Sequence, residues 1–187
     1  MIKCKIGTGS DIEGVLSLQE KYLFRNMSEQ ERKRGFVTTP FTKSQIQEVI
    51  KQNGLFVALN DKDEIIAYVF AADWEYFEQW EIFNYMVSRF PQISFHGSEI
   101  TTKNTFQYGP ICIDIPYRGK GVMSLLMEEM RVEFLKRFPI SITFINQINE
   151  VSTRAHKKIG WEIVDSFEFN DNKYIALGLD MHKSVLK

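Results

Sequence analysis

The sequence has 187 residues, with 23 Lys and Arg against 24 Asp and Glu for a formal net charge of −1, and 44% of it is hydrophobic. That length suits one domain able to bury a substantial core without staples, and the balanced charge argues against a broad nucleic-acid surface. Two cysteines, Cys4 and Cys112, allow one disulfide at most and both fall in expected strands, so reduced, packed thiols in a cytoplasmic protein are expected; neither a signal peptide nor a membrane span is visible.

Residues 2–6 read as a short strand ended at Gly7. Ser10-Asp-Ile-Glu13 has the spacing of a capping box, and Ile12, Val15, Leu16, Tyr22 and Leu23 share one face of the helix it starts. Residues 24–34 are charged and lose that period, which leaves them as loop or frayed helix. Thr39-Pro40 marks a turn, and a second helix is expected over residues 43–52, stopped by Asn53-Gly54. Residues 55–59 and 64–72 are strand-like around the turn Asn60-Asp-Lys-Asp63, an antiparallel hairpin.

The next segment, 74–90, is rich in aromatics, and Tyr76, Trp80, Phe83 and Val87 share a helical face. It reads as a helix docked on the core by aromatic burial, or as the lining of a substrate site. Glu75, Glu78 and Glu81 make a solvated face, or an acidic rim that would attract an amine. Pro91 ends the helix, and residues 92–105 form a polar, irregular connection.

Residues 108–127 read as strand, glycine-rich turn and helix. Ile111, Cys112 and Ile113 suit a buried strand, Arg118-Gly-Lys-Gly121 interrupts it, and Met123, Leu126, Met127, Met130 and Phe134 keep a helical period up to Pro139. Two glycines let the backbone approach a ligand, and the helix presents free N–H groups and the positive end of its dipole to the turn. The turn is therefore a candidate phosphate site, with an ordinary strand-to-helix connection as the other reading. A Walker loop is excluded because Val122-Met123 follows Gly121, and a dinucleotide fingerprint lacks its third glycine and its acid. Beyond it, residues 140–145 alternate as a strand, 150–159 form a short helix, and 161–169 and 173–182 are strands joined by Asn170-Asp-Asn172. This order predicts an α/β domain with a mixed sheet and no repeat or linker. His96 and His182 fit no motif, and no spacing supports a metal site.

Arg118-x-x-Gly121 resembles most of the Arg/Gln-x-x-Gly-x-Gly/Ala signature of the GNAT superfamily of N-acetyltransferases, with Met123 at its last position. Asn149, Ser152, His156, Gly160 and Trp161 fit the register of a second stretch that follows the fifth strand in that family. The resemblance implies a GNAT-like acyl-CoA N-acyltransferase fold over residues 1–187, a mixed sheet of about seven strands flanked by helices, with 74–105 as an aromatic-rich insertion. It implies transfer of an acetyl group from acetyl-CoA, as cosubstrate and without a metal, to a primary amine by direct attack in a ternary complex. The acceptor would be a small molecule or a peptide, and neither nucleic acid nor membrane is an expected partner.

The resemblance also implies roles. The backbone of Ile111, Cys112 and Ile113 would take the pantetheine arm and polarise the thioester. Backbone N–H groups of Arg118, Gly119, Lys120, Gly121, Val122, Met123 and Ser124 would hold the pyrophosphate, and Asn149 would bond the pantetheine chain. His156 stands where a proton donor to the leaving sulfur is expected, as an imidazolium or through a neutral N–H. Asp114 is the nearest carboxylate for a base, its alternatives being a turn cap or replacement by a water chain. Lys157 and Lys158 read as solvated charges or as contacts for the 3′-phosphate. The rival reading is a GNAT-fold module that binds acyl-CoA for sensing or assembly without turnover. Any aromatics of 74–90 left exposed would offer a homodimer face.

Overall fold

The computed structural model describes residues 2–186. Strand β1 (Lys3–Ile6) leads into a 3-10 turn at Gly9–Asp11, where the Asp11 carboxylate accepts from the Thr8 N–H at 2.8 Å and from Lys5 Nζ at 2.9 Å. The cap is thus the pair Thr8 and Asp11 instead of Ser10 and Glu13, because Lys5 draws the carboxylate of Asp11 back over the turn. Helix α1 (Ile12–Tyr22) then buries Ile12, Val15, Leu18 and Tyr22. Residues 24–34 hold a 3-10 turn at Phe24–Asn26 and the short α2 (Glu29–Arg32), capped by reciprocal Ser28 and Glu31 hydrogen bonds. Helix α2 buries nothing, so its residues show no apolar period in the sequence. Helix α3 (Lys43–Lys51) starts at a Thr42 cap.

Strands β2 (Leu55–Leu59) and β3 (Ile65–Ala72) form the expected hairpin. The aromatic segment is two helices, α4 (Trp74–Phe77) and α5 (Glu81–Arg89), because Trp80 is extended and starts the second. Its buried residues are Trp74, Phe77, Phe83, Met86 and Phe90, while Tyr76, Trp80 and Val87 are half-buried. Arg89 grips Asp165 with two hydrogen bonds, of 2.5 and 2.9 Å, tying α5 to the far end of the sheet. The connection after it contains a small hairpin, β4 (Ser94–Phe95) and β5 (Ser98–Glu99), whose turn residues His96 and Gly97 both have positive φ. Then come β6 (Thr105–Ile113), α6 (Val122–Phe134), β7 (Ile140–Asn146), α7 (Glu150–Lys158), β8 (Glu162–Phe169) and β9 (Asn172–Asp180).

The main sheet is seven-stranded and mixed, in the order β1-β2-β3-β6-β7-β9-β8. Alternation along β2 and β3 supplies both of its faces: Leu55, Val57, Tyr68 and Phe70 pack with α1, α3, α4 and α5, while Phe56, Ala58, Ala67 and Val69 pack with α6. Each strand is therefore apolar throughout, as a doubly covered strand must be. Helix α6 contributes Leu126, Met127, Met130 and Phe134, all fully buried, and burying a side chain of this kind stabilises by roughly 1.5–3 kcal/mol. Cys4 and Cys112 are free thiols. Among the described residues, no helix is long and apolar enough to cross a membrane.

The sheet opens at its centre. Strands β6 and β7 pair in parallel only where Thr105, Phe106 and Gln107 face Ile140, Ser141 and Ile142. Past that point Gly109 takes φ +114°, the Gly109–Pro110 peptide is cis, and the pairing of β6 with β3 shifts register between Val69 and Ala71. Side chains replace the lost ladder: Thr143 Oγ1 and Gln107 Nε2 donate to the Tyr108 carbonyl at 2.7 and 2.6 Å. Asp114 N–H still donates to Ile66 of β3, so by the alternation of an antiparallel ladder Ile111 and Ile113 turn their backbone groups toward the gap.

Candidate active site

The gap widens into a cleft of about 310 Å³ between the open edge of β6 and helices α6 and α7. One end of it is the turn into α6. Gly119 and Gly121 adopt φ of +73° and +79°, and among the described residues nothing lies within 4 Å of where a Cβ would stand on either. Gly121 is the N-cap and offers no side chain, so the N–H groups of Val122, Met123 and Ser124 face the cleft without an intrahelical acceptor. These free donors and the helix dipole favour an anion there. Arg118 borders the cleft, but its guanidinium is committed to backbone carbonyls. Its Nε donates to the Ile113 carbonyl at 2.7 Å, one guanidinium nitrogen donates to the Arg34 carbonyl, and the guanidinium lies 5.0 Å from the Tyr22 ring. It thereby holds residues 34–37 as a strap along the cleft. The strap is anchored again where Val37 exchanges backbone hydrogen bonds with Tyr22 and Phe24. Gly35, at φ +97°, lets the strap pass between Arg118 and Asn149.

Behind the strap lies a second hollow of about 110 Å³, which shares Phe36, Val37, Ile111, Asn149, Ser152 and His156 with the cleft. Phe41, Phe83 and Phe144 wall it, and Gln107, Thr143, Asn146 and Tyr174 supply neutral polar groups. Among the described residues, no carboxylate lines either space.

The architecture aligns along nearly its whole length with solved acetyltransferases. A GNAT-family acetyltransferase from Streptococcus agalactiae superposes with a TM-score of 0.66 at 14% identity, covering 96% of this chain and 95% of that one. An N-acetyltransferase from Staphylococcus aureus gives 0.64 at 15% identity, with 97% and 99% covered. A GNAT-superfamily phosphinothricin acetyltransferase from Sinorhizobium meliloti, solved in complex with acetyl-CoA, gives 0.62 at 13% identity, with 96% and 88% covered. The chain has the GNAT acetyltransferase fold. No protein-family model matches the sequence, and no curated protein matches it.

Within this GNAT fold, Ile111, Cys112, Ile113, Arg118, Gly119, Gly121, Val122, Met123, Ser124, Asn149 and His156 converge on the cleft, as does Lys158. Lys120, Lys157 and Asp114 are not in its lining. Asp114 Oδ1 accepts from Tyr22 Oη at 2.5 Å and from Lys21 Nζ at 2.6 Å, bracing α1 against the end of β6. Burial pulls its carboxyl up, but the bonds from Lys21 and Tyr22 outweigh this and hold it below the usual carboxylate range. A carboxylate so placed is an anchor and a poor base. Asn149 caps α7, its side-chain oxygen accepting from the Ser152 N–H at 3.3 Å.

His156 is 3% exposed, packed between Tyr108 and Trp161. Its Nδ1 lies 2.7 Å from the Ser152 carbonyl, which can only accept, so Nδ1 carries the proton; Nε2 accepts from Tyr108 Oη at 3.1 Å. Burial pushes the ring's pKa down to about 4, against a smaller upward pull from the Ser152 carbonyl. The expectation of an imidazolium donor, or of a free ring N–H on the sulfur, is therefore corrected: the ring is neutral near pH 7 and its one N–H is committed to backbone.

The strap 34–37, Tyr22, Gln107 and Thr143 entered the site without a sequence signal, apart from Gly35 following the charged segment. Of the aromatic segment only Phe83 reaches the second hollow; Trp80 packs on Phe41 instead, 5.3 Å between centroids. Among the described residues, no group of three or more His, Cys, Asp or Glu is placed to hold a metal ion.

Proposed function

We propose that this protein is an N-acetyltransferase that moves the acetyl group of acetyl-CoA to a primary amine by direct attack in a ternary complex. The observation that carries the reading is the pairing of an uncapped helix N-terminus, opened by two glycines, with a freed strand edge beside it. The residues fit the cosubstrate. The N–H groups of Val122, Met123 and Ser124, with the space left by Gly119 and Gly121, suit a pyrophosphate, and the backbone of Ile111 with the N–H of Ile113 suits an amide-bearing arm. Solved proteins of the same fold include one in complex with acetyl-CoA, which supports this choice.

Acetyl-CoA supplies the activated acyl carbon: the amine nitrogen gains a C–N bond, the C–S bond breaks, and one proton passes overall from nitrogen to sulfur. The chain's residues bind and orient more than they exchange protons. Burial pushes the Cys112 thiol up to about 12, so it stays protonated at neutral pH, which favours direct attack over an acyl-cysteine. With His156 neutral and no carboxylate in the lining, the amine must enter unprotonated and hand its proton to water. Ser152, a residue that lines both spaces, is suited to hydrogen-bond the departing thiolate through its hydroxyl while water replaces the proton.

The test is calorimetry with CoA and acetyl-CoA, followed by thiol release across a panel of amines. Saturable binding with amine-dependent thiol release is expected. Tight binding without turnover on any amine would move the assignment to a non-catalytic acyl-CoA-binding module, and no binding would end it.

A further inference from the structure

Gln107, which borders the second hollow, carries a hydrogen-bond acceptor that is buried and unanswered. Gln107 is 2% exposed, and its Nε2 is committed to the Tyr108 carbonyl at 2.6 Å, which fixes the end of the amide that is oxygen. Its Oε1 is buried and has no hydrogen-bond partner among the described residues. Leaving such an acceptor unpaired is costly, and most buried polar atoms avoid it. The surroundings are rings from Phe36, Phe41, Phe83 and Phe144 and, among the described residues, no charged side chain.

We infer that Gln107 reads the acceptor: its Oε1 accepts from a neutral O–H or N–H at the end of the molecule remote from the reacting amine. The inference rests on the acetyl-transfer reading above and names its acceptor class, a primary amine with a small aromatic or apolar body and no second charge. An amide oxygen accepts and cannot donate, so the group that meets it must be a donor. A second ammonium in this hollow would be stripped of water with no carboxylate to receive it, which a binding site cannot offset. The hollow meets the cleft at Ile111, Asn149, Ser152 and His156, where a thioester on the edge of β6 would be reached. Gln107 lies on β6 before the kink at Gly109, so an amine presented at that junction directs its body toward the rings and its far end toward the Gln107 side of the hollow.

The experiment is a calorimetric titration of CoA-saturated protein with tyramine, phenethylamine and putrescine. Tyramine and phenethylamine differ by one hydroxyl. Tyramine is expected to bind at least ten-fold tighter than phenethylamine, with putrescine weaker than both. In Gln107→Met, tyramine should fall to the level of phenethylamine while the Kd for CoA is unchanged. Equal wild-type affinities for tyramine and phenethylamine, absence of binding by both, or a preference for putrescine overturns the inference. The wild-type comparison needs no variant and so survives a Gln107→Met chain that fails to fold. Loss of CoA binding by the wild type would sink the acetyl-transfer reading and this inference together, whereas CoA binding without the hydroxyl preference sinks this inference alone.

Discussion

The cleft at the start of α6 and the hollow behind the strap meet at His156, yet they are built from different material. The cleft is made of backbone: two glycines in the left-handed region, three uncapped N–H groups and a strand edge whose partner has turned away. The hollow is made of side chains that arrive from the strap, α5, β6, β7 and β9. A backbone-built site depends on conformation and tolerates many side chains, which suits a ligand recognised by its phosphates and amides. A site built from side chains changes with every substitution, which suits the partner that must be told apart from others. Such a division lets one fold keep a constant donor and vary the acceptor.

The largest expected effect falls on the backbone half. Gly121→Val forces a β-branched residue into φ +79°, a region that costs L-residues roughly 1–2 kcal/mol, and points its Cβ at the open turn. Acetyl-CoA Kd should rise by roughly ten- to a hundred-fold. An unchanged Kd by calorimetry would mean that the turn does not hold the cosubstrate.

Next comes the junction, through pH. In the unfolded chain the imidazole of His156 titrates near 6.5, but in the fold only near 4, so between those values the unfolded state binds more protons. Stability from this group is fully present above about 6.5 and is lost as pH falls toward 4, by up to roughly 3 kcal/mol. Urea unfolding of His156→Gln should show a flatter dependence across that window. Parallel pH profiles for the variant and the wild type would remove the buried neutral ring from the account.

Arg118→Lys should be milder. A single ammonium cannot span both the Ile113 and the Arg34 carbonyls, so the strap loosens and acetyl-CoA affinity falls by roughly three- to ten-fold. Full affinity in the lysine variant would show that the fork is dispensable. Asp114→Asn should matter least. Its pair with Lys21 is partly exposed, worth about 1 kcal/mol or less, and turnover should change by less than roughly three-fold. A loss of a hundred-fold or more in kcat would instead make it a catalytic base.

Much of the frame was legible in the chain. Residues 55–59 coincide with β2 because an unbroken apolar run between Gly54 and the Asn60 turn leaves no other use for it. The start of α6 at Val122 follows from Gly119 and Gly121, since glycine is a poor helix former and readily takes the positive φ that a turn requires. Other features carried no signal. Helix α2 has no core face and so no period, and the break at Trp80 was hidden because aromatics fit two short helices as readily as one long one. The turn of the β4–β5 hairpin runs through His96, a residue with no strong turn preference.

By itself the sequence determined an α/β order of elements and a glycine turn between β6 and α6, because glycine positions and apolar periods act locally. Only the tertiary structure decided that His156 is neutral, that Asp114 is an anchor, that residues 34–37 strap the cleft and that Gln107 ends in an unpaired oxygen. Those properties depend on desolvation and on partners distant in the chain, and neither burial nor a missing hydrogen bond is written in any stretch of neighbouring residues.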